Sequence, residues 1–216
     1  MKHEILYKIC DLECTLNELK DFNRHIDTYD FDFTDSFDDF YHLDTILNAL
    51  SQFDSNKIDT DYLSYWANAY NWIIMSTKWR QSDKNETKNF KQFVKNAISD
   101  LLDSLSFADL SQSTIKTSKF RAKFVALDNL LEKVTNDYVI YFVPCNKDDP
   151  MFVNFLCINN VTKESIEVDN GYLSYGDNRL SEKQITKTKF KELISLCHKN
   201  NYKKTKLVIE NLENSL

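Results

Sequence analysis

FRAKFVALDNLLEKVTNDYVIYFV, residues 120–143, holds the change of period on which the fold reading turns. Up to Val134 the apolar residues Phe120, Phe124, Leu127, Leu130, Leu131 and Val134 recur every three or four positions, which is the spacing of one helix face. Past Asn136 comes Tyr138-Val-Ile-Tyr-Phe-Val143, a β-branched and aromatic run of strand length. Upstream, the helical spacing holds almost throughout. Ile5, Leu6, Ile9, Leu12, Leu16 and Leu19 predict one helix over 4–25. Phe37, Phe40, Tyr41, Leu43, Leu47 and Leu50 predict another, capped by Asp35 or Ser36. Asp59 or Thr60 caps a third, with Leu63, Trp66, Ala67, Tyr70, Ile73 and Ile74 inward, and Phe90 to Leu105 form the cleanest amphipathic stretch.

Downstream, Met151 to Ile158 and Lys163 to Asp169 read as strands, the latter running into the turn Asn170-Gly171. Helical spacing returns over 181–199, and Lys204 to Asn211 reads as a last strand. The expectation is an α+β fold, a helix-rich N-terminal part packed on a small C-terminal antiparallel β-sheet with one or two helices. Two subdomains follow, a helical one over 1–135 and an α+β one over 136–216.

Composition narrows the function classes. The 216 residues include only two glycines and two prolines, so no Gly-rich phosphate cradle, GxGxxG turn or nucleophile elbow can be built. No cofactor is expected. The start, MKHEILYKICDLE, is broken by charge and lacks the apolar run of a signal peptide. No apolar run reaches membrane-spanning length either. A cytoplasmic protein without membrane attachment is the expectation, its five cysteines (10, 14, 145, 157, 197) reduced and packed as small hydrophobes.

The charge is lopsided. Residues 1–62 carry 15 Asp and Glu against 5 Lys and Arg, whereas the rest of the chain is mildly basic. The acid concentrates in DTYDFDFTDSFDDFYHLD, residues 27–44, which has no Lys or Arg. Asp27, Tyr29, Asp30, Asp32, Asp35, Asp38, Asp39 and Asp44 are the candidate partner-binding residues. Tyr29 to Phe33 alternate with period two, which turns aromatics inward and aspartates outward in a short strand. Two readings stand side by side. One is an interaction surface for a basic protein, because closely spaced carboxylates steer and neutralise basic surfaces and aromatics anchor contacts. The other is a solvated acidic face whose aromatics fill the chain's own core.

Other constellations carry less. Asp30-x-Asp32-x-Thr34 and Asp54-x-Asn56 lack the glycine and glutamate of a calcium loop. Cys10 and Cys14 fall on one face of a single predicted helix, yet no second pair or spaced histidines complete a zinc site. No metal ligand and no catalytic residue is assigned. The basic excess near Lys183 to Lys206 is interleaved with Glu182 and Glu192, and pI is near 5.3, which argues against direct nucleic-acid binding.

The stretch Asn48 to Asn68, NALSQFDSNKIDTDYLSYWAN, joins a leucine-bearing helix end, a polar turn, an Ile and a capped helix with Trp-Ala-Asn. With GYLSYG and ITKTKFKEL further on, it resembles small uncharacterised immunity-type proteins of low-GC Gram-positive bacteria over about a third of the chain. The resemblance implies a non-enzymatic binding protein and carries over no catalytic residue. The expected function is therefore an inhibitor or immunity-type protein that occludes a basic toxin or nuclease with its acidic surface, as a nucleic-acid mimic or a phage anti-defence protein would. An enzyme with an unrecognised cleft and a self-associating structural module are the alternatives.

Overall fold

The computed structural model describes residues 2–26, 36–79, 85–107, 117–144, 153–159, 161–162, 165–168 and 183–184. The chain divides into two units, Met1–Asp83 with Gln92–Leu131, and Lys84–Lys91 with Glu132–Leu216. The helices are α1 (Lys2–Cys10), α2 (Leu16–Arg24), α3 (Phe37–Phe40), α4 (Leu43–Asp54), α5 (Thr60–Ser76), α6 (Asn85–Ser106) and α7 (Thr117–Lys133).

Helix α5 is the spine of the first unit. Asp59 starts it, its carboxylate accepting from the Tyr62 amide at 2.8 Å, which satisfies a donor that the first turn leaves open. Leu63, Trp66, Ala67, Ala69, Tyr70, Ile73 and Ile74 are buried, so α5 is apolar around most of its circumference. It packs against α1, α2, α3 and α4. Three residues one turn apart bring polar tips into that core. Tyr62 Oη donates to the Cys14 carbonyl at 2.8 Å, and Trp66 Nε1 donates to the Ile9 carbonyl at 3.0 Å. Tyr70 Oη donates to the Phe40 carbonyl at 3.0 Å and accepts from the His42 amide at 3.1 Å. Trp66 and Tyr70 are fully buried and Tyr62 half-buried, and each polar end finds a partner, the condition for placing Tyr and Trp inside. On the α6 side Asn71 Nδ2 donates to Asp103 Oδ1 at 2.6 Å, and Ser64 donates to the Ser106 carbonyl.

The single helix expected over 4–25 is corrected to two. Helix α1 stops at Cys10, and Leu12 takes φ 60°, the left-handed region. The Glu13 amide donates to the Lys8 carbonyl at 2.8 Å and the Leu12 amide to Ile9 at 3.3 Å, a Schellman ending made with leucine where glycine is usual. Helix α2 then starts with a capping box. Thr15 Oγ1 accepts from the Glu18 amide at 3.2 Å, and Glu18 Oε2 accepts from the Thr15 amide at 2.7 Å. Cys14 precedes this cap, so it shares no helix face with Cys10. Both thiols are buried, and burial pushes them up, to about 11 for Cys14 and about 12 for Cys10, which makes them poor nucleophiles.

Glu18 also accepts from Lys8 Nζ at 3.2 Å, tying α1 to α2. Its bonds to the Thr15 backbone and hydroxyl, then to Lys8, hold its carboxyl down to about 2. A carboxyl depressed on folding contributes stability above its unfolded pKa and loses it as pH falls through the folded value. Part of the stability should therefore disappear between about pH 4.5 and 2. Glu18→Gln should flatten that limb in urea titrations at stepped pH, and an unchanged limb would contradict the assignment.

The helix expected from Phe37 through Leu50 is also interrupted. The four residues of α3 end at Tyr41, which is extended, and α4 restarts at Leu43. The hydroxyl of Tyr70 holds this corner from below by bonding both Phe40 and His42. Helix α4 ends through Ser55 and Asn56, whose φ of 55° suits the asparagine side chain. Arg121 of α7 grips that end, donating to the Leu47 carbonyl at 3.1 Å and to Asp54 Oδ2 at 2.9 Å.

In the second unit β1 (Tyr138–Pro144), β2 (Val153–Asn159), β3 (Ser165–Val168) and β4 (Lys183–Gln184) pair antiparallel in the order β1-β2-β3-β4. Ile140 opposes Cys157, and both are buried. Asn159 closes the turn after β2, its side-chain oxygen accepting from the Val161 and Thr162 amides. Lys183–Gln184 are extended where the spacing over 181–199 predicts helix. The strands expected at 29–33 and 204–211 lie outside the described residues.

The fold-class expectation is corrected. The described chain is helix-rich, and only the first three residues of β1 form a strand with a run of described side chains. Within the first unit the core is helix on helix, with α5 packed against α1, α2, α3 and α4. The α+β arrangement of helices packed on a sheet is not the architecture of this core. The physical reason is α5 itself: it is apolar around most of its circumference, so the helices of this unit close around it.

Candidate functional site

The C-terminal part of the acidic–aromatic segment is a ledge formed by α3, its corner and the first turn of α4. Phe37, Phe40 and Tyr41 are buried there, whereas Asp38, Asp39 and Asp44 are exposed. The separation follows from a single helical turn. Residues 37, 40 and 41 share its inner face, and 38 and 39 fall on the outer one. Asp39 has a structural duty as well: its Oδ2 accepts from the Ser36 amide and hydroxyl, each at 2.8 Å, which fixes the start of α3. Asp38, Asp39 and Asp44 all occupy first turns, where negative charge meets the positive end of the helix. Asp27, Tyr29, Asp30, Asp32 and Asp35 lie outside the described residues, so the described ledge brings together three of the eight sequence-derived site residues.

Two features extend this ledge beyond the sequence reading. Tyr7 of α1 is 53% exposed and stacks on Phe40 with ring centroids 5.9 Å apart, so α1 borders α3. Glu4 and Tyr7 of α1 and Asp11 just past its end are exposed at spacings of three and four. The edge next to the ledge thus presents a half-exposed tyrosine.

The second feature lies beneath. Phe37 packs on Trp79 (centroids 4.5 Å apart) and on Tyr41 (4.8 Å). Under these rings is Lys95 of α6, only 2% exposed. Its Nζ donates to the Thr77 carbonyl at 2.7 Å, reaches the Met75 carbonyl at 3.5 Å, and lies 5.3 Å and 5.8 Å from the Phe37 and Trp79 ring centres. The carbonyls belong to the end of α5, where the helix leaves acceptors open and a cation is favoured. The rings offer their negative faces. Trp79 is itself held by Nε1, which donates to Gln92 Oε1 at 3.0 Å. No carboxylate pairs with Lys95 among the described residues, and burial pushes its amine down to about 8. Lysines depressed in this way serve as nucleophiles elsewhere. Here rings and carbonyls enclose the nitrogen, and the arrangement is a clamp between α5, α6 and α3. The sequence carries one cue for it: Lys95 lies on the inner stripe shared with Ile98 and Leu102.

The remaining candidates stay apart. Trp66 is in the core, while Trp72 and Trp79 are partly exposed, Trp72 edge-on to Phe22 at 5.8 Å. His25 ends α2 beside Asp21, and His42 precedes α4. Among the described residues no three His, Cys, Asp or Glu side chains stand together as a metal site. None of the described helices is long and apolar enough to cross a membrane. Compared with protein families, curated proteins and solved structures, the chain matches none.

Proposed function

We propose that the chain is a non-enzymatic binding protein of inhibitor or immunity type, which docks a basic protein such as a toxin or nuclease on its acidic ledge. The observation that carries this reading is the sorting of residues 37–44, with aspartates 38, 39 and 44 outward over buried Phe37, Phe40 and Tyr41. The folded helical core supports the aspartates, so ordering them on binding costs little. Tyr7 of the neighbouring α1 supplies an aromatic contact of the kind that interface centres favour. The partner's positive surface is neutralised and covered, which blocks its own substrate without any chemistry on the inhibitor's side.

The test is affinity capture from the native host at low and high salt, with the wild type and with an Asp38→Asn, Asp44→Asn double variant. Asp39 is left in place because it caps α3. The wild type should retain a basic protein at low salt and release it as salt rises, since exposed charges act over about 8–10 Å near physiological ionic strength. The double variant should capture markedly less while its unfolding free energy stays within about 1 kcal/mol of the wild type. Equal capture with a large loss of stability would instead make these aspartates part of the fold alone.

A further inference from the structure

We propose that Asn71, Asp100 and Asp103 form a site for a hydrated divalent cation of the magnesium type, on the seam between α5 and α6. Three acceptor groups meet there, and among the described residues no cation answers them. Asn71 is only 8% exposed. Its Nδ2 donates to Asp103 Oδ1 at 2.6 Å, so the planar carboxamide lies against that carboxylate. The carboxamide oxygen, carried on the same plane, is buried and accepts no hydrogen bond. A buried oxygen left so is costly, and natural chains keep one where an ion or a water answers it. A water would supply one donor and leave the charge of both carboxylates as it is.

Asp100 lies one turn before Asp103 on α6, at the spacing that makes neighbours of two side chains on one helix face. Partial burial, and after it the charge of Asp103, push the Asp100 carboxyl up from its ordinary value. No Lys, Arg or His among the described residues forms an ion pair with either carboxylate. The nearby hydroxyls are spent on backbone, Ser104 donating to the Asp100 carbonyl and Ser106 to the Asp103 carbonyl, each at 2.8 Å. Two carboxylates and a carboxamide oxygen are hard ligands. They suit Mg2+, which takes one or two carboxylates and keeps several of its waters. Asp100 opens to solvent, so the ion can arrive hydrated. Only two of the three groups are carboxylates, which is why no trio of acidic, His or Cys side chains marks the place. None of the ledge aspartates takes part, so the inference stands whether or not the ledge binds a basic partner.

The experiment is a titration of the full chain with Mn2+, followed by electron paramagnetic resonance, in which the free ion gives the signal. Salt at about 0.15 M screens diffuse attraction to the other carboxylates. The wild type should take up one Mn2+ per chain and release it to added Mg2+. Asp103→Asn keeps an acceptor for Asn71 Nδ2 and should weaken uptake by more than about tenfold. Asp100→Asn, at a solvent-exposed position, should do the same, and it serves alone if the first variant does not fold. In thermal melts at matched ionic strength, Mg2+ should raise the wild-type midpoint and leave both variants unmoved. No uptake at up to about 1 mM Mn2+, or uptake of unchanged affinity in the folded variants, would overturn the site.

Discussion

Trp66→Ala is expected to cost about 3–5 kcal/mol, the largest loss from any single side chain of the helical core. Trp66 is fully buried, stacks on Tyr70 with centroids 5.2 Å apart, and donates from Nε1 to the Ile9 carbonyl in the last turn of α1. Alanine removes the ring, leaves a void lined by α1 and α5, and leaves that carbonyl with only the longer bond from the Leu12 amide. Against a typical total of about 5–15 kcal/mol, such a loss leaves a large fraction of the chain unfolded near 37 °C. Urea denaturation should report it as a lowered midpoint at unchanged slope. Trp66→Phe keeps most of the packing and should cost distinctly less, which separates the ring from its hydrogen bond. Equal losses in the two variants would mean that the Ile9 bond, not the packing, dominates.

Tyr70→Phe should follow at about 1–3 kcal/mol, although it deletes a single oxygen. That oxygen serves both sides of the α3–α4 corner, donating to Phe40 and accepting from His42. Phenylalanine leaves one acceptor and one donor without their partner, and the buried acceptor has little access to water. The exchange of the His42 amide should speed up before any global unfolding is detected. A loss under about 0.5 kcal/mol, with exchange unchanged, would mean that water enters and replaces the hydroxyl, and that Tyr70 does not set the geometry of the ledge.

Helix positions were written in the sequence far better than helix breaks. Asp59, the inward stripe of α5 and the long periodic run of α6 all follow from capping and spacing rules. The break near residue 12 was half legible. Thr15-x-x-Glu18 is a capping box and marks a new start, but Ile5 to Leu19 keep a helical spacing straight through it. The stop itself uses Leu12 in the left-handed region, where no glycine signals it. The corner at Tyr41 had no local sign, because a hydroxyl 28 residues further along the chain fixes it. Packing of helices on a sheet was inferred from the change of period after Asn136, and such a change locates strands without saying what they cover. The ledge was legible in Asp38, Asp39 and Asp44, since a helical turn separates 38 and 39 from 37, 40 and 41. Lys95 was not, because a lysine on an apolar stripe reads as a side chain reaching for solvent, whereas here the end of α5 and two rings take the place of water.

The acidic ledge as a docking surface is tested most directly by association kinetics. Once a basic partner has been captured, its association rate constant is measured against the wild type and the Asp38→Asn, Asp44→Asn variant over a range of salt concentrations. The account predicts a wild-type rate that falls steeply with salt, and a variant that is several-fold slower at low salt, shallower in slope, and convergent with the wild type at high salt. Rates that coincide at every salt concentration, for two proteins of equal stability, would contradict it.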